Sequence, residues 1–359
     1  GLMLTEAAHF IGIRTAVLDP SPLAPALEVC DYAVVGQLHD EQAVRALLRY
    51  ATHLTYEIEA PDVGVLRKYA AVVAVHPNPE TLSITQDKLF QKQFLEALKI
   101  PTAAFGRTDT ESDIKDFFSL HGPCVVKLRK HGYDGRGNQI VETAHQIARA
   151  AKKFASKEYY CEKLVPFRRE LAIQIGRSSD GRIIYFPIVE TVQINGICHI
   201  VRAPARLSPS KTRIVHEISR KVAESFAHVG MIAIEFFESK DGGILVNELA
   251  PRVHNSGHHT IESCTISQFE EHVRLVCGLA PKQPRMKKQA IMLNIIGKKN
   301  EKAKIGFADS EKMRNTIFIH IYGKIQNRIG RKMGHITAIG SNHKSLEKKV
   351  ALTRQSIPL

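Results

Sequence analysis

The sequence predicts a protein of mixed α/β and α+β class, with a parallel-sheet N-terminal unit, a hairpin-rich body and a small, basic, β-rich C-terminal unit. Three observations predict it. Residues 1–97 alternate helical and strand-like runs, the pattern of a parallel sheet covered by helices. Further along, strand-like runs are joined by turn dipeptides such as Asn195-Gly196 and Asp241-Gly242. The charge, finally, is uneven: residues 282–359 hold 18 Lys and Arg against 4 Asp and Glu, whereas residues 1–281 hold 32 of each. With 359 residues, 44% hydrophobic and 24% charged, the chain has the composition of a soluble globular protein of two or three domains.

Taken in order, the N-terminal unit begins with an amphipathic helix from Gly1. Strands follow at Arg14 to Asp19 and Tyr32 to Val35, then a helix from Asp40 and a strand from His53 to Glu57. Asp19 after a strand resembles the acidic residue of a dinucleotide fold, but no G-x-G-x-x-G precedes it, which excludes NAD. Glu57 ends its strand at the edge where open α/β sheets bind ligands. A helical run from Ser83 to Leu98 stops at Lys99-Ile-Pro101, a border set by the proline.

The body opens with the strand Gly122 to Lys127 and the loop His131-Gly-Tyr-Asp-Gly-Arg-Gly-Asn138. There Gly132, Gly135 and Gly137 let backbone N–H groups approach phosphate oxygens. No G-x-x-x-x-G-K-[ST] occurs, so this is not a P-loop. Tyr159 to Val165 reads as a strand and hinge, and residues 171–204 as strands around turns at Ser178 to Gly181 and Asn195-Gly196. Lys211 to Phe226 reads as a helix burying Ile214, Ile218, Val222 and Phe226, and Ser267 starts a capped helix. The C-terminal unit shows strands at Ala290 to Ile296, Thr316 to Tyr322 and His335 to Ile339, then a helix from Ser345.

The stretch with most chemistry is Ile232 to His258. A turn centred on Asp241-Gly242 sets Glu235 opposite Glu248, with Cβ atoms roughly 5 Å apart on one face. Like charges so placed repel, and a hard divalent cation such as Mg²⁺, completed by water and phosphate oxygens, would offset the repulsion; two solvated glutamates are the plainer alternative. Asn247-Glu-Leu-Ala-Pro-Arg-Val-His-Asn-Ser-Gly-His258 then places Asn, Glu, Arg and two His at a strand end, where packing alone would call for apolar residues.

That run resembles the signature of the 5-(carboxyamino)imidazole ribonucleotide synthases, ATP-grasp ligases of purine biosynthesis, and the similarity extends from Gly1 to the final helix. It implies an ATP-grasp fold with a Rossmann-like pre-ATP-grasp domain at 1–97, an ATP-grasp domain at 98–285 and a C-terminal domain at 286–359. Gly1 matches the last glycine of a substrate-phosphate turn, so a first strand is expected ahead of it. The resemblance implies ATP contacts from Lys88, Lys127, the loop Gly132, Tyr133, Asp134, Gly135, Arg136, Gly137 and Asn138, the hinge Glu162, Lys163, Leu164 and Val165, and Glu170, Gln193, Asn247 and Glu248. Lys88 stands where relatives usually carry Arg, and Gln193 where many carry His.

By the same resemblance Glu235 and Glu248 hold Mg²⁺, with Mn²⁺ as a substitute. Arg252, His254 and Lys332 handle bicarbonate and carboxyphosphate, and Glu57, Tyr133, Asp134, Arg136, Arg331 and Lys332 frame 5-aminoimidazole ribonucleotide. The implied reaction phosphorylates bicarbonate with ATP and passes its carbon to the substrate amine. A cytoplasmic homodimer is the implied form. Other ATP-grasp ligases, or a nonenzymatic RNA- or nucleotide-binding protein using the basic C-terminus, are the alternatives. Against nucleic acid, the last 78 residues hold only Phe307, Phe318 and Tyr322 as aromatics, a poor stacking platform. Against a membrane span, no apolar run approaches the roughly 20 residues required. Six cysteines without a Cys-x-x-Cys pair fit a reducing compartment and no zinc ribbon.

Overall fold

In the computed structural model residues 1–130, 132, 137–303 and 316–357 are described. The N-terminal unit alternates as expected, but its strands form two short parallel pairs. Ala16–Asp19 pairs with Tyr32–Val35, and His53–Leu54 pairs with Ala74–Val75. Asp40 caps the helix Glu41–Leu47 by accepting from the Gln42 N–H. The run read as one helix from Ser83 to Leu98 is two helices, Pro79–Thr85 and Lys88–Ala97. The break falls at Asp87, which caps the second helix and pairs with Arg129 at 2.6 Å. An aspartate is worth more as a cap and ion-pair partner than inside a helix, so it starts a new one.

Among the described residues the other strands form two larger antiparallel sheets and one short antiparallel pair, Glu301–Lys302 with Gln326–Asn327. Phe105–Thr108, Tyr159–Lys163, Cys124–Leu128 and Asn138–Val141 lie in that order, backed by the helices Glu111–His121 and Ile147–Phe154. The larger sheet runs Ile244–Ala250, Gly230–Ser239, Phe167–Arg177, Val189–Ile194, Ile197–Ala203, Gln289–Ile296, Lys332–Gly340 and Ile317–Ile321. The basic C-terminal strands therefore continue the sheet of the body, through pairs such as Ile200 with Leu293.

Side chains alternate across this sheet. Leu171, Ile173, Ile175, Ile232, Ile234 and Phe236 enter one core with the helix Pro209–Ser225 and Leu95. Glu170, Gln174 and Glu235 consequently fall on the other face. In the helix Pro209–Ser225 the buried stripe runs through Val215, Ile218 and Val222, while Ile214 is 42% exposed, a correction of the sequence reading by one position. The Asn195-Gly196 turn has positive φ at both residues, 53° and 76°, as a tight primed turn requires.

Glu235 does face Glu248, but by a different route from the two-residue turn expected. Ser239 N–H donates to Gly243 O and Gly242 N–H to Ser239 O, so the loop is Lys240-Asp241-Gly242, with Gly242 at φ 94°. The extra residue shifts the pairing by one, and a bulge between Glu235 and Phe236, which leaves Asn247 outside the ladder, shifts it back.

Candidate active site

The bulged hairpin, the segment that follows it and the neighbouring strand bring Glu170, Glu235, Glu248 and His254 together. Glu235 has its pKa pushed up to about 7, first by burial and then by the Glu248 charge. Asn247 Nδ2 donates to it at 3.4 Å, and His254 Nε2 lies 3.5 Å away. Glu170, diagonal to Glu235 on the adjacent strand, is also pushed up to about 7, by burial and by Glu235. Burial raises Glu248 too, but Lys88 Nζ at 2.5 Å holds it below the ordinary glutamate value. Lys88 thus sits against the acidic pair, at the first turn of its helix.

Among the described residues no group of three or more acidic, His or Cys side chains could hold a metal. Two carboxylates are nevertheless a donor set suited to Mg²⁺, which keeps several waters and takes its remaining oxygens from phosphates. Glu235, raised by burial and by the Glu248 charge, is a carboxyl whose ionised form a divalent cation at the pair would favour.

Next to this pair, Glu162 is wholly buried. It accepts from Lys127 Nζ at 2.9 Å and Tyr160 OH at 3.1 Å and lies 3.3 Å from Lys92 Nζ. Burial opposes its charge, but the two lysines prevail and bring it down to about 2. Lys92, itself buried and lowered to about 8, was missed from the sequence. Its signal was a lysine on the apolar stripe between Leu89 and Leu95. In the hinge, Lys163 N–H donates to Ala104 O and Leu164 N–H to Pro123 O. Those two donors are spent within the sheet, so a base edge would have to use hinge carbonyls and the Val165 N–H.

Of the glycine loop, Tyr133, Asp134, Gly135 and Arg136 lie outside the described residues, as does His131. At its neck Gly132 and Gly137 touch: a Cβ on Gly137 would sit 2.9 Å from the Gly132 Cα. Asn138 starts the return strand, opposite Lys127.

Beyond the pair, Arg252 Nε donates to Glu59 Oε1 at 2.8 Å. Glu57, singled out in the sequence, lies beside Gly1. An acidic residue at alternate positions of one segment left the choice between the two open to sequence reasoning. His254 is held well below the usual histidine range by burial, then by Arg252 and Lys332. Lys332 reaches the same space from a C-terminal strand, close enough that its charge also lowers Glu235. Arg331 is turned to the loop wall, donating to Gln326 O at 3.0 Å. Gln193 lies opposite Cys198, past a bulge in its strand.

A buried lysine–glutamate network beside a hinge, acidic residues on an antiparallel sheet and a glycine-necked hairpin define an ATP-grasp ligase. Residues 93–269 match the ATP-grasp domain family, 1–86 the ribonucleotide synthetase preATP-grasp domain and 290–349 the phosphoribosylaminoimidazole carboxylase C-terminal domain. The N5-carboxyaminoimidazole ribonucleotide synthase of Brucella melitensis is 35% identical over 94% of this chain and 93% of its own length. The chain belongs to the N5-carboxyaminoimidazole ribonucleotide synthase family. The phosphoribosylaminoimidazole carboxylase of Schizosaccharomyces pombe is 37% identical over 97% of this chain, which spans 65% of that relative's length. The crystal structure of the N5-carboxyaminoimidazole synthase of Aspergillus clavatus in complex with ADP and 5-aminoimidazole ribonucleotide superposes with a TM-score of 0.89. It is 30% identical and covers 99% of this chain and 96% of its own. Among the described residues no helix is long and apolar enough to cross a membrane.

Proposed function

We propose that this chain uses ATP to carboxylate the amine of 5-aminoimidazole ribonucleotide with bicarbonate. The observation that carries the reading is the convergence of the Glu235/Glu248 pair with Arg252, His254 and Lys332 at one end of a bulged hairpin. Bicarbonate is a poor electrophile because its oxygen leaves badly. Transfer of the γ-phosphoryl group to that oxygen, with ADP leaving, gives carboxyphosphate. Its C–O bond breaks to release phosphate, and the substrate amine takes the carbon and gives up a proton.

Little covalent chemistry falls to the protein, whose work is positioning and charge neutralisation. Lys127 has its ammonium group placed by Glu162 and would meet the nucleotide phosphates. Lys88 is set against Glu248 at the same edge. Glu235 and Glu248 would hold Mg²⁺, which when bound neutralises phosphate charge and orients the phosphoryl group. Arg252, His254 and Lys332 form the cationic and hydrogen-bonding wall on which bicarbonate and carboxyphosphate would rest. Glu170 would meet the ribose of the nucleotide. The test is ADP release measured with and without 5-aminoimidazole ribonucleotide. Release that needs the ribonucleotide and bicarbonate supports the reading, and release indifferent to both removes it.

A further inference from the structure

Behind His254 lies a chain of polar groups with no ligand assigned to it. Gln174, on the strand Phe167–Arg177, donates from Nε2 to Ser256 Oγ at 2.7 Å, and Ser256 Oγ lies 2.8 Å from His254 Nδ1. Gln174 and Ser256 are fully buried. The direction of these bonds follows without seeing any hydrogen. The Ser256 backbone N–H, 3.3 Å from His254 Nδ1, can only donate. Nδ1 therefore carries no proton, the Ser256 hydroxyl must donate to it, and Gln174 must turn its amide nitrogen, not its oxygen, toward Ser256. A neutral imidazole has one N–H. Here that proton falls on Nε2, the atom facing Glu235 Oε1.

We propose that Gln174 and Ser256 are positioning residues that hold His254 in its Nε2–H tautomer, making it a hydrogen-bond donor to the anion between Arg252 and Lys332 and not a base. The assignment of that anion rests on the proposed function; the tautomer does not. Two features of the fold belong to the same device. Gln268 clamps the His254 backbone from both sides, accepting from its N–H at 3.0 Å and donating to its carbonyl at 2.7 Å. Gly257 has no room for a side chain, since a Cβ would meet Gln268 Oε1 at 2.4 Å and Gln174 Cδ at 2.9 Å. The loop is thus drawn tight over both amides. A donor preset toward an oxyanion needs no reorganisation when charge develops there.

The test is nitrogen NMR of the full chain with labelled histidine, the His254 signals being those lost in His254→Asn. The unmutated protein is expected to show His254 with a bare Nδ1 and a protonated Nε2. In Gln174→Glu, read above the pH at which the buried carboxyl ionises, the carboxylate can only accept, so the Ser256 hydroxyl turns toward it and the signals shift toward the Nδ1–H form. In serine proteases the wrong histidine tautomer lowers kcat by about 10⁴-fold. Ser256→Ala leaves its backbone N–H in place, so a smaller loss, roughly 10- to 10²-fold in kcat, is expected, with the KM for ATP within about twofold. Ser256→Thr, which restores the hydroxyl, should recover part of it. A protonated Nδ1 in the unmutated protein overturns the proposal, as does a Ser256→Ala variant with undiminished kcat. If ADP release proves indifferent to the ribonucleotide, the substrate reading falls while the tautomer signal still decides this one.

Discussion

Asn255 and Asn294 exchange both side-chain amide hydrogen bonds, at 2.9 and 2.7 Å. Asn294 Nδ2 also donates to the Cys198 carbonyl at 2.9 Å. One residue follows His254 directly. The other lies on the strand Gln289–Ile296, which pairs with the strand carrying Lys332. The pair therefore ties together the two walls of the proposed anion site, which come from far apart in the chain.

Asn294→Ala should loosen that connection. It leaves the part-buried Asn255 amide without the Asn294 side chain, a loss of roughly 1–3 kcal/mol for a polar group so placed. Turnover should fall more than nucleotide affinity, measured by steady-state kinetics beside urea unfolding. Unchanged turnover with the expected stability loss would make the pair purely structural.

Lys332→Ala removes one cation from the other wall. Turnover should drop by about 10²-fold or more, the scale seen when one preorganised donor is lost from a charge-stabilising site. ATP affinity, by calorimetry with a non-hydrolysable analogue, should barely change. A collapse of nucleotide binding would place this lysine on the wrong ligand.

Glu248→Gln should abolish Mg²⁺-dependent ADP formation and leave the fold nearly as stable. The charge it removes repels Glu235, and Lys88, which it leaves behind, still has Glu235 nearby to lower. ADP release and a thermal melt on the same preparation check both halves. Full activity would remove the metal role.

Glu235→Gln gives a pH-dependent signature. Glu235 has a folded pKa of about 7 against an ordinary 4.5. An acid so raised contributes stability below pH 4.5 that is lost as pH rises through 7. Without ligand, the variant should therefore gain on the unmutated protein as pH rises from about 4.5, levelling off above 7. Taking the difference between the two proteins cancels the buried histidines, whose lowered values act in the opposite sense. A difference in melting temperature that is flat with pH would contradict the raised value.

Lys92→Met tests the residue that sequence reasoning passed over. It removes one of two cations holding the buried Glu162, and breaking a buried pair on one side costs roughly 3 kcal/mol or more. Lys127 and Tyr160 remain on Glu162, so the lower end of that scale is expected in urea unfolding. A neutral result would show that Lys127 alone keeps Glu162 charged.

The hairpin shows how far the sequence carries. Opposition of Glu235 and Glu248 was legible, yet it arises from a three-residue loop and a compensating bulge, neither of which a turn dipeptide encodes. Strand positions in the C-terminal unit were close, because apolar alternation is a local signal; the last helix starts at His343, capped by Asn342, two residues ahead of the expected Ser345. That its strands extend the sheet of the body was not legible, since pairing of Ile200 with Leu293 is decided by packing between distant segments. The same limit explains Glu59, whose partner Arg252 lies in another unit.

The central claim is that the face shared by Glu235, Glu248, Arg252, His254 and Lys332 couples ATP cleavage to carboxylation. The direct measurement is ADP and carboxylated ribonucleotide quantified in parallel from ATP, Mg²⁺, bicarbonate and 5-aminoimidazole ribonucleotide. The account predicts one carboxylated product per ADP, and no product when either bicarbonate or ATP is withheld. ADP formed at the same rate without the ribonucleotide, with no carboxylated product in its presence, would contradict it.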